Sequence, residues 1–282
     1  MLELLLHKKM IKNNWQCRWS PTLGDLEDTA ENVWGTGPYS WTTEPTVFFG
    51  CYGLPDFYTI WQHKGERHIL WAGTDIIHLK NHYWLEDGGG IIIDNKGICE
   101  WINKYCVNWC ENVAESDALR DLGIKAIIQP SFLGDVNKFE VSFKPGNRVY
   151  ASCSGDNFTQ YKWPEINKMA EENPDIEFHC YGNVRPWLGP KNMIVHGRVS
   201  KEQMNEEIKE MQGAIRLLEH DGFSEVLAKS ILWGQWPIAT IPYEYIMKPE
   251  QIRDILDKEK PNLEGREYYL KTLNNFPWNS KK

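Results

Sequence analysis

Nowhere do apolar residues run on for the ~20 positions that a membrane-spanning helix needs, so no transmembrane segment is expected. The opening MLELLLHKKM is too short in its apolar part for a secretory signal and carries its charge on the wrong side. A cytoplasmic protein is therefore the expectation. The seven cysteines include no CxxC pair, and an odd count in that compartment needs no disulfide framework. Cys106 and Cys110 fall one helical turn apart. Zinc held by Cys99, Cys106 and Cys110 is weaker as a reading than buried, unreactive thiols. His63, His68, His78 and His82 form no HExxH or other tight ligand spacing. No convincing loop carries a DxD-type motif, so neither a metal nor a resident cofactor is expected. Excess basic charge is also lacking: the net charge of −8 argues against coating a polyanion. No basic amphipathic helix invites attachment to a membrane surface.

What is present fits a soluble globular protein, with 41% hydrophobic and 25% charged residues. A length of 282 residues suits two modest domains better than one core. Tryptophan is abundant, with 14 copies and 13% aromatic residues overall. Core packing accounts for most such rings as a rule, while stacking on sugars or bases would be the functional use. Composition does not separate these two.

Along the chain, the first forty residues are rich in turn formers, with a short helix expected over Leu26 to Val33. Apolar, β-branched runs predict strands at Pro45–Gly53, Arg67–Asp75, Gly88–Asn95 and Lys125–Pro130. Between the last two, the stretch from Cys99 to Ile124 has helical period and closes on Gly123. The pattern then restarts. NRVYASCSGD predicts a strand, YKWPEINKMAEENPD a helix, and IEFHCYGN and MIVHGR two strands. SKEQMNEEIKEMQG predicts a helix capped by Ser200. AIRLLEHDGFS reads as a strand entering a loop, EVLAKSILWG as a helix and WPIATIP as a last strand. Continuous apolar strands separated by helices indicate parallel sheets covered on both faces. The fold expected is α/β, with two Rossmann-like domains facing a central cleft. The boundaries read as 1–138 and 147–263, with Leu133–Asn147 as linker and 264–282 as a closing helix and tail.

One loop invites a chemical reading. Glu219, His220, Asp221 and Gly222 precede a helix that begins near Ser224. Such a helix start offers unpaired N–H groups and a positive dipole end. Gly222 lets backbone approach a ligand closely. Together these suit a phosphate or diphosphate, with Asp221 and His220 bonding nearby hydroxyls and Arg216 offsetting charge. The plainer alternative is an N-capped surface helix behind a solvated acidic loop. Asp75 and Thr74 follow another strand end, where a carboxylate would orient or deprotonate an acceptor hydroxyl. There the plainer alternative is an N-cap for the next helix.

The ordered pieces HGRV, IRLLEHDGFS and WGQWPIAT resemble the C-terminal half of GT-B glycosyltransferases, especially the retaining, family 4-like group. NPDIEFHCYGN, CENVAESDALRDLGIKAIIQPSF and HILWAGTDI are similar to earlier steps of that family, so the resemblance spans roughly Val47 to Thr240. It implies a metal-independent transfer of sugar from a nucleotide-diphosphate sugar to a hydroxyl. Gly222, Phe223 and Ser224 would offer backbone contacts to the donor. Asp221 matches the first acidic position of the family's E-x7-E motif, which contacts the donor sugar. The second, which holds the nucleotide ribose, is Lys229 here. A lysine is donor only and accepts nothing from a ribose diol, so it would meet a phosphate or pair with Glu225. The family commonly clamps the diphosphate with an arginine and a lysine. Lys162 would keep one role, and Arg198 or Arg216 would replace the other. A saccharide is the expected acceptor, and a modified DNA base extruded into an aromatic loop is the narrower one. Two other classes stay open, because fold does not fix reaction: a nucleotide-sugar epimerase or phosphorylase, and a catalytically silent relative that binds sugar or a partner.

Overall fold

The computed structural model describes residues 14–24, 27–40, 43–86, 89–92 and 94–281. The opening segment weighed above as a signal lies outside them. In chain order the first elements are strand β1 (Gln16–Trp19), helix α1 (Glu27–Trp34), β2 (Gly37–Pro38), β3 (Thr46–Phe49), α2 (Leu54–Gln62), β4 (Arg67–Leu70) and α3 (Thr74–Lys80). They are followed by β5 (Tyr83–Glu86), β6 (Gly89–Ile92), α4 (Asn95–Tyr105), β7 (Val107–Cys110), α5 (Val113–Asp121) and β8 (Ala126–Ile128). The second series runs β9 (Arg148–Ser152), α6 (Trp163–Glu172), β10 (Glu177–Tyr181), β11 (Met193–Gly197), α7 (Lys201–Ile208), β12 (Gly213–Arg216), α8 (Glu225–Leu232), β13 (Ile238–Ala239) and α9 (Leu263–Thr272).

The chain forms two compact units. The first takes residues up to Cys110, Ser116–Gln129 and the tail from Asn274; the second takes Glu111–Glu115 and Pro130–Leu273. The division therefore falls earlier than the linker at Leu133–Asn147. The closing segment also separates, since α9 belongs with the second unit and the tail with the first.

The first unit is a six-stranded sheet of order β2-β1-β3-β4-β7-β8, parallel throughout. Phe48 and Ile69 face one buried layer with Ile60, Leu79 and Ile102 from the helices. On the other side Trp19, Trp34 and Phe49 pack together, and the tail supplies Phe276 and Trp278. Trp278 is wholly enclosed and stacks on Phe276 at 4.4 Å. In this unit the tryptophans Trp19, Trp34, Trp71, Trp84, Trp109 and Trp278 are buried packing groups.

Two expectations need correction here. The strand over Gly88–Asn95 does not join the parallel sheet: Gly89–Ile92 pairs antiparallel with Tyr83–Glu86 as a separate ribbon. Its nearest apolar neighbour in sequence, YWLE, captures it first. The helical stretch from Cys99 to Ile124 is broken by β7, so Cys106 ends α4 and Cys110 ends a strand. Four residues of strand vanish inside a longer 3.6-residue period.

The strands and α-helices of the second unit match the sequence reading, while a 3-10 helix over Pro249–Asp257 was not expected. Its sheet has the order β11-β10-β9-β12-β13, again parallel. Successive residues of β9 alternate between faces as a strand must. Val149 and Ala151 join Trp163 and Ile166 of α6, whereas Tyr150 joins Ile208 of α7 and Leu227 of α8. Helix α9 covers the outer side of α8 through Tyr269 and Leu273. Ser200 caps α7 by accepting from the Gln203 N–H, as expected.

Candidate functional site in the second unit

In a sheet ordered β11-β10-β9-β12-β13, the connections reverse direction between β9 and β12. Loops leaving those two strands diverge, and their C-terminal ends open a crevice where ligands of α/β proteins commonly bind. After β9 the chain reaches Lys162, which stands at the N-terminal boundary of α6 in a left-handed conformation, φ 59°. Its Nζ lies 3.4 Å from Glu165 and 3.7 Å from Glu219. After β12, Arg216 donates from Nε to Asp221 at 2.7 Å and lies over the Tyr161 ring at 4.7 Å. Charges therefore tie the start of α6 to the loop that follows β12. A recess of about 540 Å³ opens beside them, with Lys162, Leu217, Glu219, Thr240 and Arg253 in its wall.

The loop from Glu219 to Ser224 changes from exposed to buried along its length. His220 is exposed, Asp221 and Gly222 are half-buried, and Phe223 is buried. The Phe223 ring stacks on Tyr269 at 5.0 Å and meets Tyr243 edge-on at 5.1 Å. Ser224 holds the N-cap position of α8, yet its side chain makes no capping bond. The helix itself is not a surface helix, since Leu227 through Leu232 are buried.

One side chain at this loop was not anticipated. Glu111, which follows β7 but groups with the second unit, accepts from the Phe223 N–H at 2.9 Å. Its other oxygen accepts from the Ser131 N–H at 3.1 Å and from the Ser131 hydroxyl. A Cβ at Gly222 would run into that Glu111 carboxylate, so any larger residue would have to displace it. The neighbouring Asn112 donates its amide to Asp221 O at 2.7 Å, and Tyr243 donates its hydroxyl to Gly222 O at 3.1 Å. Three successive loop residues are thus pinned by side chains. Burial pushes the Glu111 carboxyl up to about 7, against the pull of the Ser131 and Phe223 donors, and the nearby Asp221 raises it further.

Lys229 is 7% exposed and donates to Asn205 Oδ1 and Glu225 Oε1, both at 3.0 Å. Burial lowers its pKa, opposed by the Glu225 carboxylate. It lines a second recess of about 520 Å³ with Phe139, Lys201, Asn205 and Trp233. Arg198 follows β11 at the outer edge of the sheet; it is exposed, and among the described residues it has no ion pair. The crevice positions after β9 and β12 thus gather Lys162, Arg216, Asp221, His220, Gly222, Phe223 and Ser224. Lys229 turns inward, and Arg198 stands two strands away from β9.

Asp75 belongs to the first unit and is wholly enclosed. It accepts from the backbone N–H groups of Cys51, Ala72 and Ile76 at 2.9–3.0 Å. Burial raises it to about 6 despite those three donors. It sits inside the first turn of α3 rather than at its N-cap, which is Gly73. Its geometry is that of a clamp between two strand-end loops. Among the described residues, no group of three or more His, Cys, Asp and Glu side chains is arranged to hold a metal ion. No described helix is long and apolar enough to cross a membrane.

No family model and no curated protein matches the chain. Solved structures do resemble it. An S. aureus TarM variant in complex with fondaparinux, alpha-GlcNAc-glycerol and UDP aligns at 13% identity with a TM-score of 0.50. The alignment covers 80% of this chain and 50% of that one. A second TarM structure gives 14% identity over the same shares with the same score. The chain therefore spans about half the length of TarM. Anabaena HepE, in complex with UDP and glucose, aligns at 8% identity, covering 91% of this chain and 98% of HepE, TM-score 0.50. At these identities the likeness is one of fold: paired Rossmann-like α/β units of the GT-B class.

Proposed function

We propose that the second unit binds a nucleotide-diphosphate sugar at the Glu219–Ser224 loop and that the chain transfers the sugar to a hydroxyl acceptor. The observation that carries this reading is the convergence of Lys162, Arg216, Asp221 and the start of α8 at the reversal between β9 and β12. An anion placed there would meet the Lys162 ammonium and the N-terminal amides of α8. Arg198, exposed after β11, would reach in as the second cation in place of Arg216, whose guanidinium is held by Asp221. These groups would take the charge of the leaving diphosphate without a metal ion. Asp221 and His220 would bond the sugar hydroxyls. That TarM and HepE were captured with UDP supports uracil as the first base to try. Retention of anomeric configuration follows from the family resemblance. A saccharide is the acceptor we favour over a DNA base, which the net charge of −8 would repel as part of a polyanion. Cytoplasmic location is part of the same proposal.

A second reading has its own support. Lys229 is satisfied by Glu225 and Asn205, and the Phe223 amide by Glu111, so two donor-holding positions are occupied from within. That arrangement suits a relative that binds sugar or a partner without transfer. A thermal-shift screen with UDP, GDP, ADP, CMP and their sugars separates the two. One diphosphate nucleotide at ~100 times its Kd should stabilise the protein by ~2.7 kcal/mol. The effect should shrink in Lys162→Gln with Arg198→Gln. Release of free nucleotide in the presence of a saccharide, surviving a chelator, would then mark transfer; free isomerised donor without acceptor would mark an epimerase. Absence of any shift in folded protein would defeat the donor reading.

A further inference from the structure

We propose that Glu111 governs how the candidate donor loop takes an anion. Its carboxylate is the built-in occupant of the Phe223 amide, and a donor diphosphate binds at full strength only once that carboxylate has lost its charge. The inference rests on the donor reading above. Glu111 is 6% exposed and reaches the loop from a segment, Glu111–Glu115, that is far from it in sequence. Its two oxygens receive Phe223 N–H, Ser131 N–H and the Ser131 hydroxyl, so it is locked rather than swinging free. A negative charge fixed on a loop amide competes directly with a phosphate oxygen for that donor. It also repels the rest of the diphosphate through a partly desolvated medium, where charges interact strongly. A Cβ at Gly222 would meet the same carboxylate oxygen that bonds the Phe223 N–H, so the glycine has a local reason independent of any ligand.

The surrounding charges make the balance adjustable near neutral pH. Asp221 faces Glu111 from the loop and disfavours its ionisation, while Arg216 neutralises part of Asp221. Glu115 accepts from the Glu111 N–H at 2.6 Å, and the Tyr243 hydroxyl sits on Gly222 O. Ser131 favours the ionised form. With the carboxyl raised to about 7, protonation removes the competitor as pH falls through that value. Anion affinity should therefore be high below about pH 7 and fall above it. Glu111 acts through the loop and is a positioning residue.

Calorimetric titration with UDP-, GDP- and ADP-glucose at about pH 6 and about pH 8 tests this, because a diphosphate diester keeps both its charges over that range. Wild type should bind one of them about tenfold more tightly at the lower pH. Glu111→Gln should bind equally at both, near the wild-type value at low pH. Ser131→Ala, which removes a donor to the charged form, should move the fall in affinity to higher pH. A wild type with flat affinity, or a slope that persists in Glu111→Gln, would overturn the role of Glu111. Loss of affinity in Glu111→Gln at both pH values would do the same, by marking a purely structural contact. No binding of any of the three at either pH would overturn the donor reading itself.

Discussion

In the first unit the carboxylates at the strand ends, Asp56 and Asp75, are 4% and 0% exposed and spend their oxygens on the protein itself. Asp56 pairs with Arg18 and accepts from the Ser20 hydroxyl at 2.8 Å and the Tyr52 N–H at 2.9 Å. In the second unit the Asp221 side chain remains 24% exposed beside a half-buried loop, with His220 exposed next to it. Both sheets are parallel and followed by helices, yet of the carboxylates compared, Asp221 alone is left open to a ligand. Burial, more than position in the fold, separates architectural from chemical carboxylates. Glu111 is the intermediate case, enclosed like Asp75 but attached to the open loop.

The comparison breaks most visibly at Asp56. Asp56→Ala leaves Arg18, with its side chain 15% exposed, uncompensated among buried neighbours. Removing one partner of such a pair typically costs ~3–5 kcal/mol. Urea unfolding should show a loss of that size; a loss below ~1 kcal/mol would mean that Arg18 reaches water and that the carboxylate is not architectural.

Asp75 offers a test with a sign. Its carboxyl is raised to about 6 in the folded protein, above its value of ~4 in an unfolded chain. A raised folded value means that the stability it contributes is fully present below about pH 4 and is lost as pH rises through about 6. Comparing wild type with Asp75→Asn between about pH 4.5 and about pH 7.5 isolates this slope, for which ~2 kcal/mol is the expected order. A difference between the two proteins that stays constant with pH would show that the three backbone donors keep Asp75 charged throughout.

The second unit was legible in the sequence because its strands are apolar runs set off by clear helix signals, Ser200 among them. The crevice residues followed, since Lys162 and Asp221 stand at the ends of elements already placed. The first unit was harder to read. Strand β1 is QCRW, whose Arg18 looks like a surface residue until Asp56 is folded against it. Strand β7 hides inside a helical period, and with it went Glu111, whose partner Phe223 is 112 positions away. A side chain that acts on a remote backbone amide leaves no periodicity or spacing to read. Lys229 was legible as a departure from the family's motif, and its pairing with Glu225 was among the roles expected of it. The bond to Asn205 was not.

That lysine supplies the smallest expected effect on stability. Lys229 is buried, as Asp56 is, but its partners differ in exposure. The Glu225 side chain is 52% exposed, so removing the ammonium strands no buried charge. Lys229→Met keeps the unbranched shape, one atom shorter, and avoids the cost of desolvating an ammonium. A hydrophobic replacement of a buried ion is often neutral or stabilising, so the change should lie within ~1 kcal/mol of zero. Nucleotide affinity then discriminates. If the ammonium lies on the donor's path, as its place in the recess with Lys201 and Trp233 allows, the variant should bind a diphosphate nucleotide several-fold more weakly. Affinity unchanged in a stable Lys229→Met would confine this lysine to holding α8 against α7. The nucleotide would then be gripped through Lys162 and the loop alone. A loss of several kcal/mol in stability would remove the contrast between the units, because enclosure would then cost the same whatever the exposure of the partner.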